Sequence, residues 1–181
     1  MSKQLKIAFG GHARVGKDTA AEYLRSRYGG VILHFADPIK EIMAFAQRRC
    51  GFDEIKDTKF LQFIGTEWAR EHDPDVWVNL LLGEVADVSG VDVSTAPTPI
   101  YVADLRFRNE AAALMAEGFT LIKIQREDRV IDRDPNHQSE NDMNEFNDWD
   151  YVVENSGNIG EFYYKLNAIV ERMGESDDVV G

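Results

Sequence analysis

LKIAFGGHARVGKDT, residues 5–19, sets Gly11 and Gly16-Lys17 at the spacing G-x-x-x-x-G-K directly behind a short apolar run. This is the spacing of a phosphate-binding loop. Backbone N–H groups must converge on phosphate oxygens, so the tight turns need residues without side chains, and a Lys must reach the outer phosphates. Gly11, Gly16 and Lys17 meet that demand, with Ala13, Arg14 and Val15 filling the loop between them. Leu5, Ile7, Ala8 and Phe9 suit a buried strand, and residues 18–28 put Ala20, Ala21, Leu24 and Tyr28 on one helical face. Strand, loop and helix in that order aim the positive end of the helix at an anion.

Asp18 stands where such loops carry a Ser or Thr whose hydroxyl meets magnesium, and Thr19 follows it. A carboxylate beside a triphosphate is repelled unless Mg²⁺, or a water of its octahedral shell, lies between them. Alternatively Asp18 begins the helix as a favourable N-terminal acid and the Thr19 hydroxyl serves the metal.

Outward from the loop, strands and helices alternate. Residues 31–36 (VILHFA) read as a second strand, and Pro38 opens a helix over residues 37–49. Residues 58–72 and 74–88 form two further helical segments, divided at Asp73-Pro74, and residues 89–99 (SGVDVSTAPTP) read as an exposed loop. Then come strand 100–103, helix 109–117, strand 119–124, a polar excursion over 126–150, strand 151–153 and a closing helix over 159–173. The pattern predicts an α/β fold of three layers, α/β/α, with a five-stranded parallel sheet in the middle and ligands beyond the carboxyl ends of its strands. Asp37, Asp104, Arg106, Arg126 and Asn155 follow successive strands and are expected to ring the loop.

A chain of 181 residues with 44% apolar and 29% charged content fits one domain. It carries no run of roughly 18 apolar residues, and its MSKQLK start has no signal-peptide core, so a cytoplasmic protein without membrane contact is expected. Cys50 is the single cysteine, which excludes an intrachain disulfide and a cysteine-rich zinc site. The net charge of −12 argues against a nucleic-acid partner. Small phosphate ligands can still use a local basic pocket, and Arg14, Lys17, Arg70, Arg106, Arg108, Arg126, Arg129 and Arg133 supply the cations.

Asp104, at the end of an apolar run, is a candidate for the magnesium water shell or for a helix cap. Arg106 and Arg108 stand two apart, so an extended turn puts them on one side, where either can stabilise a transferring phosphoryl group or pair with nearby acids. Trp68 and Arg70 precede the Asp-Pro break and Trp77 follows it; an aromatic and a guanidinium can grip a base and a phosphate, or the Trp residues can be core. In residues 126–140 (REDRVIDRDPNHQSE) the spacing of Arg126, Arg129 and Arg133 suits one helical face, as in a lid that excludes water from an activated phosphate. His137 has no second His at ligand spacing, so zinc is not expected. No Ser-His-Asp arrangement is evident, and none is needed if the acceptor is a phosphate, whose second ionisation near pH 6 leaves it nucleophilic.

Taken together, GGHARVGKDT, HFADPIKE, FIGTEWAREHDPDVWVN, VADLRFRNEA, the 126–140 segment and NSGNIGEF resemble the deoxynucleoside monophosphate kinases of tailed bacteriophages over nearly the whole chain. The resemblance implies a nucleoside-monophosphate-kinase fold with a helical acceptor segment at 38–88 and a lid at 126–150. It implies ATP with Mg²⁺ as donor, a deoxynucleoside monophosphate (dNMP) as acceptor, a homodimer, and host cytoplasm as the setting for a phage-encoded protein. By the same resemblance Lys17 holds the donor phosphates, with Arg14, Arg106 and Arg126 as further catalytic cations, and Asp18 and Thr19 stand near the metal or the acceptor phosphate. Asp37, Lys40, Trp68, Arg70, Trp77, Asp104, His137 and Glu140 fall to the acceptor and lid, and residues 155–158, Asn155 and Gly157 among them, to adenine. A dephospho-coenzyme A kinase shares the loop, though residues 68–79 favour the phage type. A regulatory GTPase lacks its N-K-x-D motif here, and a non-enzymatic nucleotide-binding module is the alternative from another class.

Overall fold

The computed structural model describes residues 4–90, 96–127 and 138–178. Its strands are β1 (Lys6–Gly10), β2 (Val31–Leu33), β3 (Ile100–Leu105), β4 (Thr120–Gln125) and β5 (Tyr151–Glu154). All pair in parallel, in the order β2-β3-β1-β4-β5. The helices are α1 (Lys17–Tyr28), α2 (Asp37–Cys50), α3 (Thr58–Gln62), α4 (Ala69–His72), α5 (Val76–Ser89), α6 (Arg108–Ala116), α7 (Gln138–Asn141) and α8 (Ile159–Asp178). A π-helical turn, Phe63–Trp68, joins α3 to α4.

Both faces of the sheet are covered, as a parallel sheet requires. Because side chains alternate along a strand, Ile7 and Phe9 of β1 face one core with Tyr101, Ala103, Ile122 and Ile124, against Ala20, Ala21 and Leu24 of α1 and Phe162 and Leu166 of α8. Ala8, Ile100, Val102 and Leu121 face the other, against Trp77, Val78, Leu81 and Val85 of α5 and Ala111 and Leu114 of α6. Each fully buried Ile, Leu or Phe here contributes about 1.5–3 kcal/mol by leaving water. The layers are therefore α/β/α around a five-stranded parallel sheet. β1 is its central strand, and the connections through α1 and α6 run over opposite faces.

Several boundaries differ from the sequence expectation, and the closing helix runs on to Asp178 instead of ending at residue 173. The second strand stops at Leu33 instead of continuing to residue 36, because the chain turns there to start α2. The third strand runs two residues further, to Leu105, so Asp104 lies inside it instead of following it. The helix expected over 58–72 is interrupted by the π turn.

Of the 126–150 excursion, residues 128–137 lie outside the described residues. Its later part rests on the body: Met143, Phe146 and Trp149 pack against the α5–α6 core. Asp150 Oδ2 accepts from Leu121 N at 2.7 Å and Asp150 N donates to Leu121 O at 3.0 Å.

Trp149 explains why β1 ends in glycine. A Cβ on Gly10 would stand 2.2 Å from Trp149 Cη2, and the indole is held by its own bond from Nε1 to Phe146 O at 3.0 Å. Gly10→Ala should therefore cost about 1–3 kcal/mol by overpacking, and adding Trp149→Leu should recover part of that loss. Urea unfolding of the two single variants and the double variant measures the coupling; strictly additive losses would contradict the contact.

Candidate functional site

The loop between β1 and α1 is set by backbone that only small residues allow. Gly11 has φ 124° and Gly16 φ 108°, and a Cβ would meet Ile124 O at 2.3 Å in the first case and Asn155 Nδ2 at 2.6 Å in the second. Arg14 also takes a left-handed φ, 62°, at the loop's tip. Lys17 is only 5% exposed, and its Nζ donates back across the loop to Gly11 O at 2.9 Å and His12 O at 2.6 Å. Asn155 Nδ2 donates to Val15 O at 2.8 Å, and Asn155 N to Gln125 O at 2.8 Å, so the start of the β5–α8 loop braces the phosphate loop. Ala13 and Val15 are buried under it.

Two cavities flank the loop. One, of about 230 Å³, is lined by Gly11, His12 and Val15 together with Lys123, Gln125, Arg126 and Glu154 from the ends of β4 and β5. The other, of about 310 Å³, lies on the β3 side; Asp18, His34, Lys40, Asp104 and Arg106 line it, with Lys56, Thr58, Gln62, Thr66, Arg70 and Trp77 from the helical segment and Ser139 from α7. Asp18, directly after the loop, is thus brought together with Lys40, Asp104 and Arg106, while Arg126 lines the other cavity and Asn155 braces the loop.

Several of the expected residues are also held by partners within the fold. Asp104 uses both carboxylate oxygens to accept from Phe35 N at 2.9 Å and Ala36 N at 3.0 Å, which pins the turn after β2 instead of capping the next helix. Burial pushes its pKa up. Arg70 is bound on three sides: to Glu110 Oε1 at 2.5 Å, Gly65 O at 3.2 Å and Pro74 O at 3.0 Å, with its guanidinium 3.9 Å from the Phe107 ring centroid. Trp77 is core, and its Nε1 donates to Gly65 O at 2.8 Å. Trp68, half exposed, leans on His72 and is not among the residues of either cavity.

Arg108 is separated from Arg106: it holds Asp142 through N and Nε at 2.8 Å and Glu145 at 3.2 Å. Gly157 sits against the Glu161 carboxylate, in the turn that opens α8. Thr19 is exposed beside Asp18. Cys50 is exposed at the end of α2. His137, Arg129 and Arg133 lie outside the described residues, as does the Glu140 side chain.

Glu110 was not expected. It is buried at the start of α6, where its second oxygen accepts from Arg106 N at 2.9 Å and Phe107 N at 3.1 Å. Burial raises its pKa while Arg70 and these N–H groups pull against the rise. The pair fixes the chain on which Arg106 is carried. The available sequence signal was an acid placed to reach back to the first N–H groups of a helix, as in half of a capping box.

His34 was missed as well. Its Nε2 lies 3.3 Å from Asp18 Oδ1 and its Nδ1 3.2 Å from Asp37 Oδ2, while Lys40 Nζ reaches Asp37 Oδ1 at 2.6 Å. The imidazole thus links the head of α1 to that of α2. The hydrogen bond to Asp18 raises the His34 pKa above 6.5, against the effect of burial, and the same bond lowers Asp18, which is 81% exposed, below 3.8.

The His34 contribution to stability is complete below the unfolded value of 6.5 and fades as pH rises through the raised folded value; that of Asp18 is lost only as acid takes pH through its lowered value. The destabilisation caused by His34→Ala should therefore be larger near about pH 6 than near about pH 9. Urea midpoints of the two proteins at both pH values check this, and a gap independent of pH would contradict it.

No protein-family model matches the chain. A protein of Acanthamoeba polyphaga mimivirus named "Putative deoxynucleotide monophosphate kinase" is 28% identical, over 88% of this chain and 93% of its own length. Among solved structures, a gluconokinase from Sinorhizobium meliloti 1021 superposes with a TM-score of 0.57 at 12% identity, covering 99% of each chain. A dephospho-CoA kinase from Campylobacter jejuni superposes with a TM-score of 0.53 at 11% identity, covering 94% of this chain and 98% of its own. Among the described residues no helix is long and apolar enough to cross a membrane. The phosphate loop, the sheet order and the structural likenesses give the chain the fold of the P-loop kinases, and the loop together with the kinase-named relative supports a phosphotransferase.

Proposed function

We propose that the chain transfers the terminal phosphoryl group of ATP to a deoxynucleoside monophosphate, giving ADP and a deoxynucleoside diphosphate. The observation that carries this reading is one phosphate loop with a cavity on either flank, one for a donor and one for an acceptor. The acceptor flank bears Lys40 and Arg106, cations suited to a second phosphate inside a chain of net charge −12. The viral relative's name supports the nucleotide acceptor. The fold does not select it, since kinases named for quite different acceptors share it.

In this reading the loop N–H groups and the head of α1 hold the donor's phosphates, with Arg14 at the loop's tip and Arg126 at the mouth of the donor cavity. Lys17 exchanges the carbonyls of Gly11 and His12 for the outer phosphate oxygens, where its charge counters that of the transferring group. The acceptor's phosphate oxygen attacks without a general base, so the chain's task is positioning and neutralisation. Arg106, carried on the segment fixed by Glu110, and Lys40 hold the acceptor phosphate. Arg70 acts through Glu110 as a positioning residue.

Asp18 and Thr19, exposed side by side at the head of α1, fit Mg²⁺ directly or through water, and Asp104 fits through water because both its oxygens already hold backbone N–H groups. Bound there, the ion would neutralise charge on the donor's outer phosphates.

ADP release measured with each dNMP, and with dephospho-coenzyme A, should show turnover dependent on at least one dNMP; release with none of the dNMPs would end this reading. Lys17→Ala should lower that turnover by at least about a hundredfold. A nearly unchanged rate would refute its role.

A further inference from the structure

The wall of the acceptor cavity carries a side chain with a donor that has no partner in the fold. Gln62 closes α3, stands directly before the π turn and lines the cavity from its helical wall. Its side-chain Nε2 is shut away from solvent and has no hydrogen-bond partner. A buried donor left unpaired is costly, and folds retain one where a ligand or a strained site explains it. The nearby Gly65 carbonyl is already shared by Arg70 Nε and Trp77 Nε1. The other orphaned side-chain atom among the described residues, Gln47 Oε1, belongs to an amide tied to Ile55 O and lies outside this cavity.

We propose that the Gln62 amide reads the base of the acceptor nucleotide. The proposal rests on the acceptor reading above and assigns base recognition within it. An acceptor phosphate must lie against the loop and Arg106, so the sugar and base extend toward the wall formed by the helical segment, where Gln62 stands. Each base carries a donor beside an acceptor on its pairing edge, and a side-chain amide offers the complementary pair.

The terminal torsion of Gln is soft, so a half-turn brings Nε2 out to the cavity and reverses the order of donor and acceptor. One residue can thereby pair with bases that present an amino group beside a ring nitrogen and with bases that present a carbonyl beside a ring N–H. The wide turn that follows supports this use, since π turns recur at functional sites and this one directly follows Gln62.

Calorimetric binding of each dNMP, and of deoxyribose phosphate as a base-less probe, to the wild type and to Gln62→Leu tests the proposal. We expect the variant to bind the accepted dNMPs at least about tenfold more weakly, since the base edge loses its partner. Deoxyribose phosphate should bind both proteins equally, and the variant's melting temperature should be equal or higher, because an unpaired buried donor has been removed. Unchanged dNMP affinity in the variant, or an equal loss for deoxyribose phosphate, overturns the role of Gln62 alone. A wild type that binds no dNMP overturns the acceptor reading and this proposal with it.

Discussion

The structure depends on a loop with no room for side chains. At the carboxyl end of the central strand the chain must reverse within a few residues beneath β4, where the Ile124 carbonyl would lie 2.3 Å from any Cβ on Gly11. The same constraint recurs at Gly16, against Asn155. Because side chains cannot fill this corner, backbone N–H groups and a buried lysine do, and the position becomes a place for anions. A parallel sheet with β1 at its centre then opens a cavity to each side of that place.

The surrounding residues act chiefly through how they hold this corner. Asn155 ties Val15 to the start of the β5–α8 loop, and Asp104 pins the turn that leads into α2. The pair of Arg70 and Glu110 joins the helical segment to the chain bearing Arg106. Removing either partner of such a buried pair leaves an uncompensated charge, at a typical cost of about 3–5 kcal/mol. The cavity on the β3 side is thus built from polar contacts that span the sequence.

What could be read from sequence was what is local. The spacing of Gly11, Gly16 and Lys17, the apolar strand before them and the helical face after them all lie within about one turn or strand of each other, so periodicity and turn chemistry suffice. The alternation of strands and helices likewise led to the sheet. What could not be read depends on partners far along the chain. Arg70 and Trp77 were legible as candidates, but the partners that hold them at the cavity wall, Glu110 lying 40 residues from Arg70 and the Gly65 carbonyl that both share, carry no local signal. Trp149, placed by its sequence in a polar excursion, packs on Gly10, a contact that no helical or strand period foretells. His34 was passed over because a lone histidine in an apolar run carries no signal of the two carboxylates that flank it.

The central claim is that the loop serves two ligands at once, a donor on the β4 side and an acceptor on the β3 side. A crystal structure with a bisubstrate analogue, adenosine joined to a deoxynucleoside through a chain of phosphates, tests this most directly. The account predicts that the phosphates lie over the loop between Gly11 and Lys17, with adenosine against Arg126 and the β4–β5 ends and the deoxynucleoside in the 310 Å³ cavity beside Arg106. An analogue bound wholly on one side of the loop, with that cavity unused, would contradict it.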